Sequence, residues 1–185
     1  RVAAALVGAL IDGLRAFAVL SVLGFHAGLP GFHGGFIGVD VFFVISGYLI
    51  SGIIGGALDR GTFSFRDFYS RRINRIFPAL VFTLLGTMAL GWLLLFQPEF
   101  DSLGKHTFGG SVYASNFLLW SEAGYFDSGL KPLLHLWSLA VEEQFYLFFP
   151  FIAVIAWRRK WSIGWTIISL VEISFVLNIW AVRHG

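Results

Sequence analysis

Five long apolar segments recur along the chain, and their length predicts helices that cross a membrane. A transmembrane α-helix needs about 20 consecutive apolar residues to span the hydrocarbon layer. Segments of this length lie at about residues 11–29, 36–58, 76–97, 134–157 and 162–182. The pattern therefore predicts an all-α fold, a polytopic bundle of transmembrane helices.

A sixth segment, residues 106–121, is weaker than the other five. It is shorter, and glycine, serine and asparagine interrupt its apolar residues. Irregular backbone at membrane depth is tolerated where it is buried in protein or lines a cavity. We therefore expect this segment to be re-entrant or to lie outside the membrane, rather than to cross it.

The composition and charge agree with an integral membrane protein. Of the 185 residues, 57% are hydrophobic and only 13% are charged, whereas soluble domains carry about 25% charged residues. The net charge is only +2, which gives no reason to expect a nucleic-acid partner. The chain contains no cysteine, so a disulfide framework and a thiolate metal site are both excluded.

Basic residues cluster in two places, and their positions predict how the helices are oriented. Residues 59–75 contain five arginines, and residues 158–160 are Arg-Arg-Lys. Such clusters are typical of cytoplasmic loops, so we expect both on the cytoplasmic side, together with the N-terminus. Arginines are interleaved with aromatic residues over 63–77, which predicts an amphipathic helix on the inner membrane surface.

Arg15 and His26 are the first two residues with candidate chemistry. They lie eleven positions apart in an otherwise uncharged segment, and this spacing puts them on one helix face, about 16 Å apart. An ionisable residue within a membrane is costly and by default indicates function. The alternative is that Arg15 extends to the lipid headgroups and that His26 caps the helix.

Asp40 is the next candidate, because the first two predicted helices should form a hairpin around residues 30–35. Asp40 and His26 are each seven positions from residue 33, so symmetry about that residue predicts that they lie side by side. A carboxylate next to an imidazole fixes its tautomer and raises its basicity, which suits a general base. The alternative is that Asp40 is an interfacial cap with access to water.

Arg71, Arg72 and Arg75 form a basic set at helical spacing. Positions three or four apart on a helix are neighbours, and clustered guanidinium groups bind phosphate bidentately. The set therefore predicts a site for the phosphates of a nucleotide cofactor. The alternative is an anchor that binds lipid headgroups.

Residues 130–150 place several polar residues in a predicted helix. His135, Ser138 and Glu142 share one face, and Glu142 is followed by a second carboxylate, Glu143. Two charges at this depth cannot both face lipid. We expect at least one to face a polar cavity or to pair with a buried cation such as Arg15, and the alternative is a purely structural ion pair.

The other three histidines, His33, His106 and His184, lie in loops or at chain ends, and we expect each to be an ordinary surface residue. No pair of histidines with a carboxylate has the spacing of a zinc site, so no metal is expected. The sequence also has no glycine-rich phosphate loop and no nucleophile-elbow pattern.

Four of these motifs, taken in order, resemble the membrane acyltransferase-three family. They are Asp12-Gly13-Leu14-Arg15 with His26, GVDVFFVISGYLI at 38–50, RRINRIFPAL at 71–80 and LKPLLHLWSLAVEEQFYL at 130–147. Within the family, the chain looks most similar to bacterial O-acetyltransferases that modify surface glycans. The resemblance covers about residues 11–150. It implies that 1–185 form the N-terminal part of a larger membrane domain, with a C-terminal membrane half and an extracytoplasmic domain as expected partners.

The resemblance also implies roles for the basic residues. Arg15 and His26 match the family's essential arginine–histidine pair, with His26 as the base. Arg72 and Arg75 match an arginine pair that holds the acyl-CoA donor.

The remaining matches concern carboxylates and serines. Either Glu142 or Glu143 matches an essential glutamate of the family, and Asp40 with Ser46 belongs to a second signature whose role is less settled. Glu142 or Asp40 would orient the base or stabilise its cation. Ser46 and Ser138 are candidate relay sites for the acyl group.

These implications combine into one hypothesis, a multi-pass acyltransferase of the bacterial inner membrane. It would transfer an acetyl group from cytoplasmic acetyl-CoA to a hydroxyl group of an extracytoplasmic glycan or lipid-linked glycan. His26 would remove the proton from that hydroxyl, and Arg71, Arg72 and Arg75 would hold the donor phosphates. Two alternatives stay open. A proton-coupled transporter also uses buried ionisable residues, and the 185 residues alone could be an inactive fragment of the acyltransferase.

Overall fold

The computed structural model describes residues 2–122 and 131–184, and these residues fold into seven helices. In chain order the helices are α1 Val2–His26, α2 Ile37–Asp59, α3 Phe65–Leu94, α4 Gln97–Ser111, α5 Ser115–Ser121, α6 Leu136–Arg158 and α7 Ile163–His184. Five of them, α1, α2, α3, α6 and α7, are long and apolar enough to cross a membrane. The all-α fold predicted from the sequence is confirmed. Leu130, the first residue of the fourth motif, lies outside the described residues.

Helices α1 and α2 form a close hairpin. A Cβ atom on Gly35 would overlap the Ser21 carbonyl, and one on Gly38 would overlap the Ala18 carbonyl. The two backbones therefore touch without intervening side chains, an approach that glycine permits. These two contacts also fix the register, because they centre the hairpin on residue 28.

The register expected from symmetry about residue 33 is therefore wrong. Residues 27–36 form a series of turns instead of extending both helices equally. The first turn of α2 therefore packs beside Ala18, about two turns before the end of α1. In the observed register Asp40 lies level with Ala16, roughly 15 Å along α1 from His26. Asp40 and His26 are not side by side.

Helix α3 is one continuous helix from Phe65 to Leu94, and not a surface helix followed by a span. The Ser64 hydroxyl caps its first turn by accepting the Asp67 N–H at 3.3 Å. Pro78 lies inside the helix and removes only one backbone donor, which a spanning helix tolerates. As a result, the segment 63–77 leads directly into the bundle.

Residues 106–121 form the end of α4 and all of α5, and neither helix is among those long enough to span. The chain reverses between them at Tyr113, whose φ is 54°. The side-chain amides of Asn116 and Gln144 exchange two hydrogen bonds, of 3.2 and 2.9 Å, which tie α5 to α6.

The last turns of α2 and α6 lie at the same end of the bundle. The Trp157 indole N–H donates to the Asp59 carboxylate at 3.3 Å, which joins these two turns. We call the region around Asp59 and residues 158–160 the basic end, and the opposite region, around residues 27–36 and the start of α6, the hairpin end. The Tyr69 hydroxyl donates to the Leu147 carbonyl at 2.8 Å, which places the first turns of α3 level with the middle of α6.

Two apolar clusters form the core, one towards each end. The cluster nearer the basic end joins α2, α3 and α6 and contains Ile50, Ile54, Leu58, Phe68, Tyr146, Phe149 and Ala153. The cluster nearer the hairpin end joins α3, α4 and α6 with the segment before α6, and contains Leu80, Leu84, Leu103, Leu133 and Leu136. The polar residues singled out from the sequence lie between and beside these clusters.

Candidate active site

A cleft of about 1140 Å³ opens at the hairpin end. Its polar lining comes from five helices and the residue before α6, and consists of His26, Asp40, Asn116, His135, Ser138 and Asn178. Trp120 and Trp137 add aromatic surface. The cleft thus collects residues more than a hundred positions apart in the sequence.

His26, at the end of α1, has its tautomer set by the backbone. Its Nδ1 lies 2.9 Å from the Val22 carbonyl oxygen. A carbonyl can only accept, so Nδ1 carries the hydrogen and Nε2 keeps the lone pair. The sequence had suggested the Asp40 carboxylate for this orienting role, and the structure gives it to the carbonyl one turn earlier in the same helix.

His135 is the second imidazole of the cleft, immediately before α6. Burial lowers its pKa, the hydrogen bond to the Pro132 backbone raises it, and the nearby His26 lowers it again. Since proline has no N–H, the imidazole donates to the Pro132 carbonyl, and its other nitrogen is an acceptor. The sequence placed His135 on the face of Ser138 and Glu142 but assigned it no role; that shared helical face was the available signal.

Arg15 does not share the cleft. It is half-buried, and its guanidinium lies 5.1 Å from the centre of the Phe42 ring. This cation–π contact directs Arg15 towards α2 and away from the lipid-facing side of α1. Arg15 therefore lies at the depth of Asp40, about 16 Å along α1 from His26.

A charged cluster, made of half-buried Arg72, Glu142 and Glu143 around buried Tyr146, occupies the middle of the bundle. The Tyr146 hydroxyl donates to a Glu142 carboxylate oxygen and is also hydrogen-bonded to Ser46 of α2. The Arg72 guanidinium stacks on the Tyr146 ring, 3.6 Å from its centre. Tyr146 is only 5% exposed, so this stacking takes place in the interior.

A polar row along α6 connects this cluster to the cleft. His135, Ser138, Glu142 and Tyr146 follow one another at intervals of three or four positions, so they share one face. The row extends over about 16 Å. The cleft is open at the hairpin end of the row, and the charged cluster lies at its deeper end.

Two atoms of the charged cluster are buried without a hydrogen-bond partner among residues 2–122 and 131–184. They are Nε of Arg72 and Oε1 of Glu143. Arg72 is also the charge that interacts most strongly with the Glu143 carboxylate. Buried polar atoms are nearly always satisfied in folded proteins, so this pair of groups needs an explanation.

Arg71 and Arg75 differ from Arg72 in their surroundings. Both are exposed, whereas Arg72 is half-buried and also lies 5.2 Å from the centre of the Phe68 ring. The three arginines expected to act together therefore divide into two that are exposed and one that is half-buried.

The expectation that His33, His106 and His184 are all surface residues is wrong for His106. It is 3% exposed, and its Nε2 lies 3.2 Å from a Glu122 carboxylate oxygen, which the Lys131 ammonium approaches to 3.5 Å. Helix α4 packs on α3 through Leu103, and His106 follows it at i+3 on the same inward face. His33 is exposed, as expected, and the side chain of His184 lies outside the described residues.

The chain is similar in sequence to known proteins along most of its length. A family model described as an acyltransferase domain matches residues 9–185. Putative peptidoglycan O-acetyltransferase YrhL of Bacillus subtilis (strain 168) is 44% identical over 154 residues, which are 78% of this chain and 23% of that protein. O-acetyltransferase OatA of Staphylococcus aureus (strain NCTC 8325 / PS 47) is 39% identical over 153 residues, 80% of this chain and 25% of that protein.

A putative O-acetyltransferase of Staphylococcus aureus (strain COL) is 36% identical over 181 residues, which are 94% of this chain and 30% of that protein. The chain therefore spans about a quarter of the length of the curated relatives that it matches. No solved structure matches it.

Proposed function

The chain belongs to the acyltransferase family that includes these bacterial O-acetyltransferases, and from that premise we propose that it transfers an acetyl group from cytoplasmic acetyl-CoA to a hydroxyl group of a cell-surface glycan. It is a multi-pass membrane protein. The proposal includes its place in the bacterial inner membrane, with the basic end and the N-terminus on the cytoplasmic side. The resemblance inferred from the four motifs is confirmed by the family match.

The observation that carries this proposal is the polar row on α6, which leads from the charged cluster to the open cleft. A donor from one side of the membrane and an acceptor from the other need a polar route between them. Ionisable groups at this depth in a bilayer are costly unless they line such a route. Exposed Arg71 and Arg75, on α3 beside Arg72 of the charged cluster, supply guanidinium groups for the donor phosphates, while the cleft at the hairpin end receives the glycan.

In the proposed reaction the acceptor hydroxyl attacks the thioester carbonyl carbon. A C–O bond forms, the C–S bond breaks, and coenzyme A leaves as its thiolate. Nε2 of His26 takes the hydroxyl proton, since its Nδ1–H is held by Val22. The proton then passes to the thiolate or to water, which restores the neutral imidazole. General-base assistance of this kind contributes about 10²–10⁴-fold to the rate.

His26→Ala tests this proposal with the protein produced from its full reading frame and purified in detergent. Coenzyme A binding, measured by isothermal titration, should be submillimolar in both wild type and variant, because His26 lies in the cleft and is not one of the arginines proposed to bind the donor. Transfer of radiolabelled acetyl from acetyl-CoA to isolated cell-wall glycan should fall by about 10²–10⁴-fold in the variant.

Each outcome discriminates between hypotheses. Retained transfer in His26→Ala would remove His26 from the mechanism. If acetyl transfer is instead lost only in His135→Ala, the role of general base would belong to His135. A wild-type protein that binds no coenzyme A would contradict the proposal and favour the proton-coupled transporter.

A further inference from the structure

Helix α7 carries a single carboxylate, Glu172, in the middle of its apolar span. Glu172 is the tenth of the 22 residues of α7, so it lies about 14 Å from the start of the helix and about 18 Å from its end. The hydrocarbon layer is about 30 Å thick, and a glutamate side chain is too short to reach either surface from this depth. Glu172 therefore lies within the apolar layer.

The Glu172 side chain points away from the rest of the bundle. Ile167 of the same helix packs against the apolar cluster nearer the basic end, and Asn178 lines the cleft. These two residues are eleven positions apart, which places them on one face of α7 within about 20°. Glu172 lies about 130° around the helix from that face, and it is exposed. We call its side of the helix, with Ser169 and Val176, the outer face of α7.

Glu172 has no partner in the part of the chain that the structure describes. It forms no ion pair and no side-chain hydrogen bond with residues 2–122 or 131–184. The nearest basic residue of its own helix, Arg183, is eleven positions away, about 16 Å along the axis. Because a carboxylate that faces lipid is costly, intramembrane carboxylates are nearly always paired or turned towards a protein interior or a polar cavity. The outer face of α7 therefore requires a cover of complementary charge.

The charge of Glu172 and the length of the relatives select the occupant of the outer face. A symmetric contact with a second copy would bring the two Glu172 carboxylates together, and like charges repel strongly in a medium of low dielectric constant. A guanidinium or ammonium group would instead leave both charges compensated. The region matched in the curated relatives is only about a quarter of their length, so these proteins have further chain from which such a group can come.

We propose that a membrane-spanning segment of the full-length polypeptide, outside residues 1–185, packs on the outer face of α7 and places an arginine or lysine against Glu172. The contact stabilises the assembly of the two parts of the polypeptide. It is independent of the reaction proposed above, because the outer face is turned away from the cleft.

Photocross-linking identifies what covers the outer face. The variant Val176→p-benzoylphenylalanine, one helical turn from Glu172, is made in the full-length protein and irradiated in membranes. We expect cross-links within one polypeptide, to a peptide outside residues 1–185 that has an arginine or lysine within about one turn of the cross-linked position. The same replacement of Ser174, on the face of Ile167 and Asn178, is the matched control and should cross-link within residues 1–185. Cross-links from position 176 only to lipid or to a second copy would overturn the proposal.

Charge exchange tests the ion pair itself. Glu172→Leu should lower the Tm of the purified full-length protein, because the cation of the partner segment is left alone. A glutamate that faced lipid would give the opposite sign, a higher Tm with leucine. Val176→Leu, on the same outer face, is the control and should leave the Tm unchanged.

The reversed pair keeps the test decisive where a single variant does not fold. Glu172→Arg should lower the yield of folded protein, because it places two cations together. Replacing the partner cation by glutamate in the same variant should restore that yield. A Tm raised by Glu172→Leu, or no recovery in the reversed pair, would overturn the proposal.

Discussion

At His26, a backbone carbonyl performs the task that the sequence suggested for a carboxylate. The Nδ1–H of the imidazole is bound to the Val22 carbonyl at 2.9 Å, and the α1–α2 register keeps Asp40 roughly 15 Å away along the helix. The base proposed for the reaction is therefore oriented by its own helix. Asp40 lies at the depth of Arg15, further along the cleft that it lines together with His26.

This division leads to a prediction for Asp40→Asn. The variant should lower acetyl transfer by about tenfold or less, because the hydrogen bond that sets the His26 tautomer is kept and general-base assistance remains available. The measurement compares the acetyl-transfer rate of Asp40→Asn with that of His26→Ala, each assayed in the same kind of preparation. A loss as large as that of His26→Ala would show that Asp40 acts directly on the base.

At the scale of the elements, close packing of α1 on α2 and the continuity of α3 place the candidate residues. Gly35 and Gly38 let α2 approach the carbonyls of α1, which fixes the level of Asp40 and of everything after it in the helix. Helix α3 continues through Pro78, so its first turns present Arg72 to α6 and leave Arg71 and Arg75 exposed. Neither feature involves a catalytic group, yet both decide which groups meet.

Gly38→Ala tests the first of these features. Its Cβ would overlap the Ala18 carbonyl, so we expect the variant to lose about 1–3 kcal/mol of stability, as other overpacked sites do. Gly52→Ala is the matched control on the same helix, because a Cβ there meets nothing within 4 Å and alanine favours a helix by about 1 kcal/mol. Thermal unfolding in detergent should separate the two variants, and equal shifts in Tm would contradict the close approach.

At the scale of the whole molecule, the important feature is that the two ends of the bundle differ chemically. The basic end combines Arg60 with residues 158–160, and it is held together by the hydrogen bond from Trp157 to Asp59. The hairpin end carries the cleft with its two imidazoles. This polarity suits the proposed reaction, in which a phosphorylated donor comes from one side and a glycan from the other.

The same polarity predicts how single cysteines label in intact cells. The chain has no cysteine of its own, so Ser162→Cys, next to residues 158–160, should resist a membrane-impermeant thiol reagent. His33→Cys in the 27–36 turns should react with it from outside. Labelling of Ser162→Cys in intact cells would place the basic end outside and reverse the proposed direction of transfer.

Composition and pattern determined the membrane class, the five spanning helices and the candidate polar residues, because crossing lipid demands length and apolarity and makes each buried charge conspicuous. The motifs also identified the family. The sequence could not determine which polar residues meet, since that depends on register and packing between distant segments. Only the tertiary structure shows that Asp40 lies away from His26 along the helix and that Arg72 is half-buried while Arg71 and Arg75 are exposed. It also shows that His106 is buried and that His135 lines the cleft. The reason is physical: a one-dimensional pattern specifies the face and length of each helix, whereas glycine contacts, aromatic stacking and side-chain ties specify the relative heights of the helices.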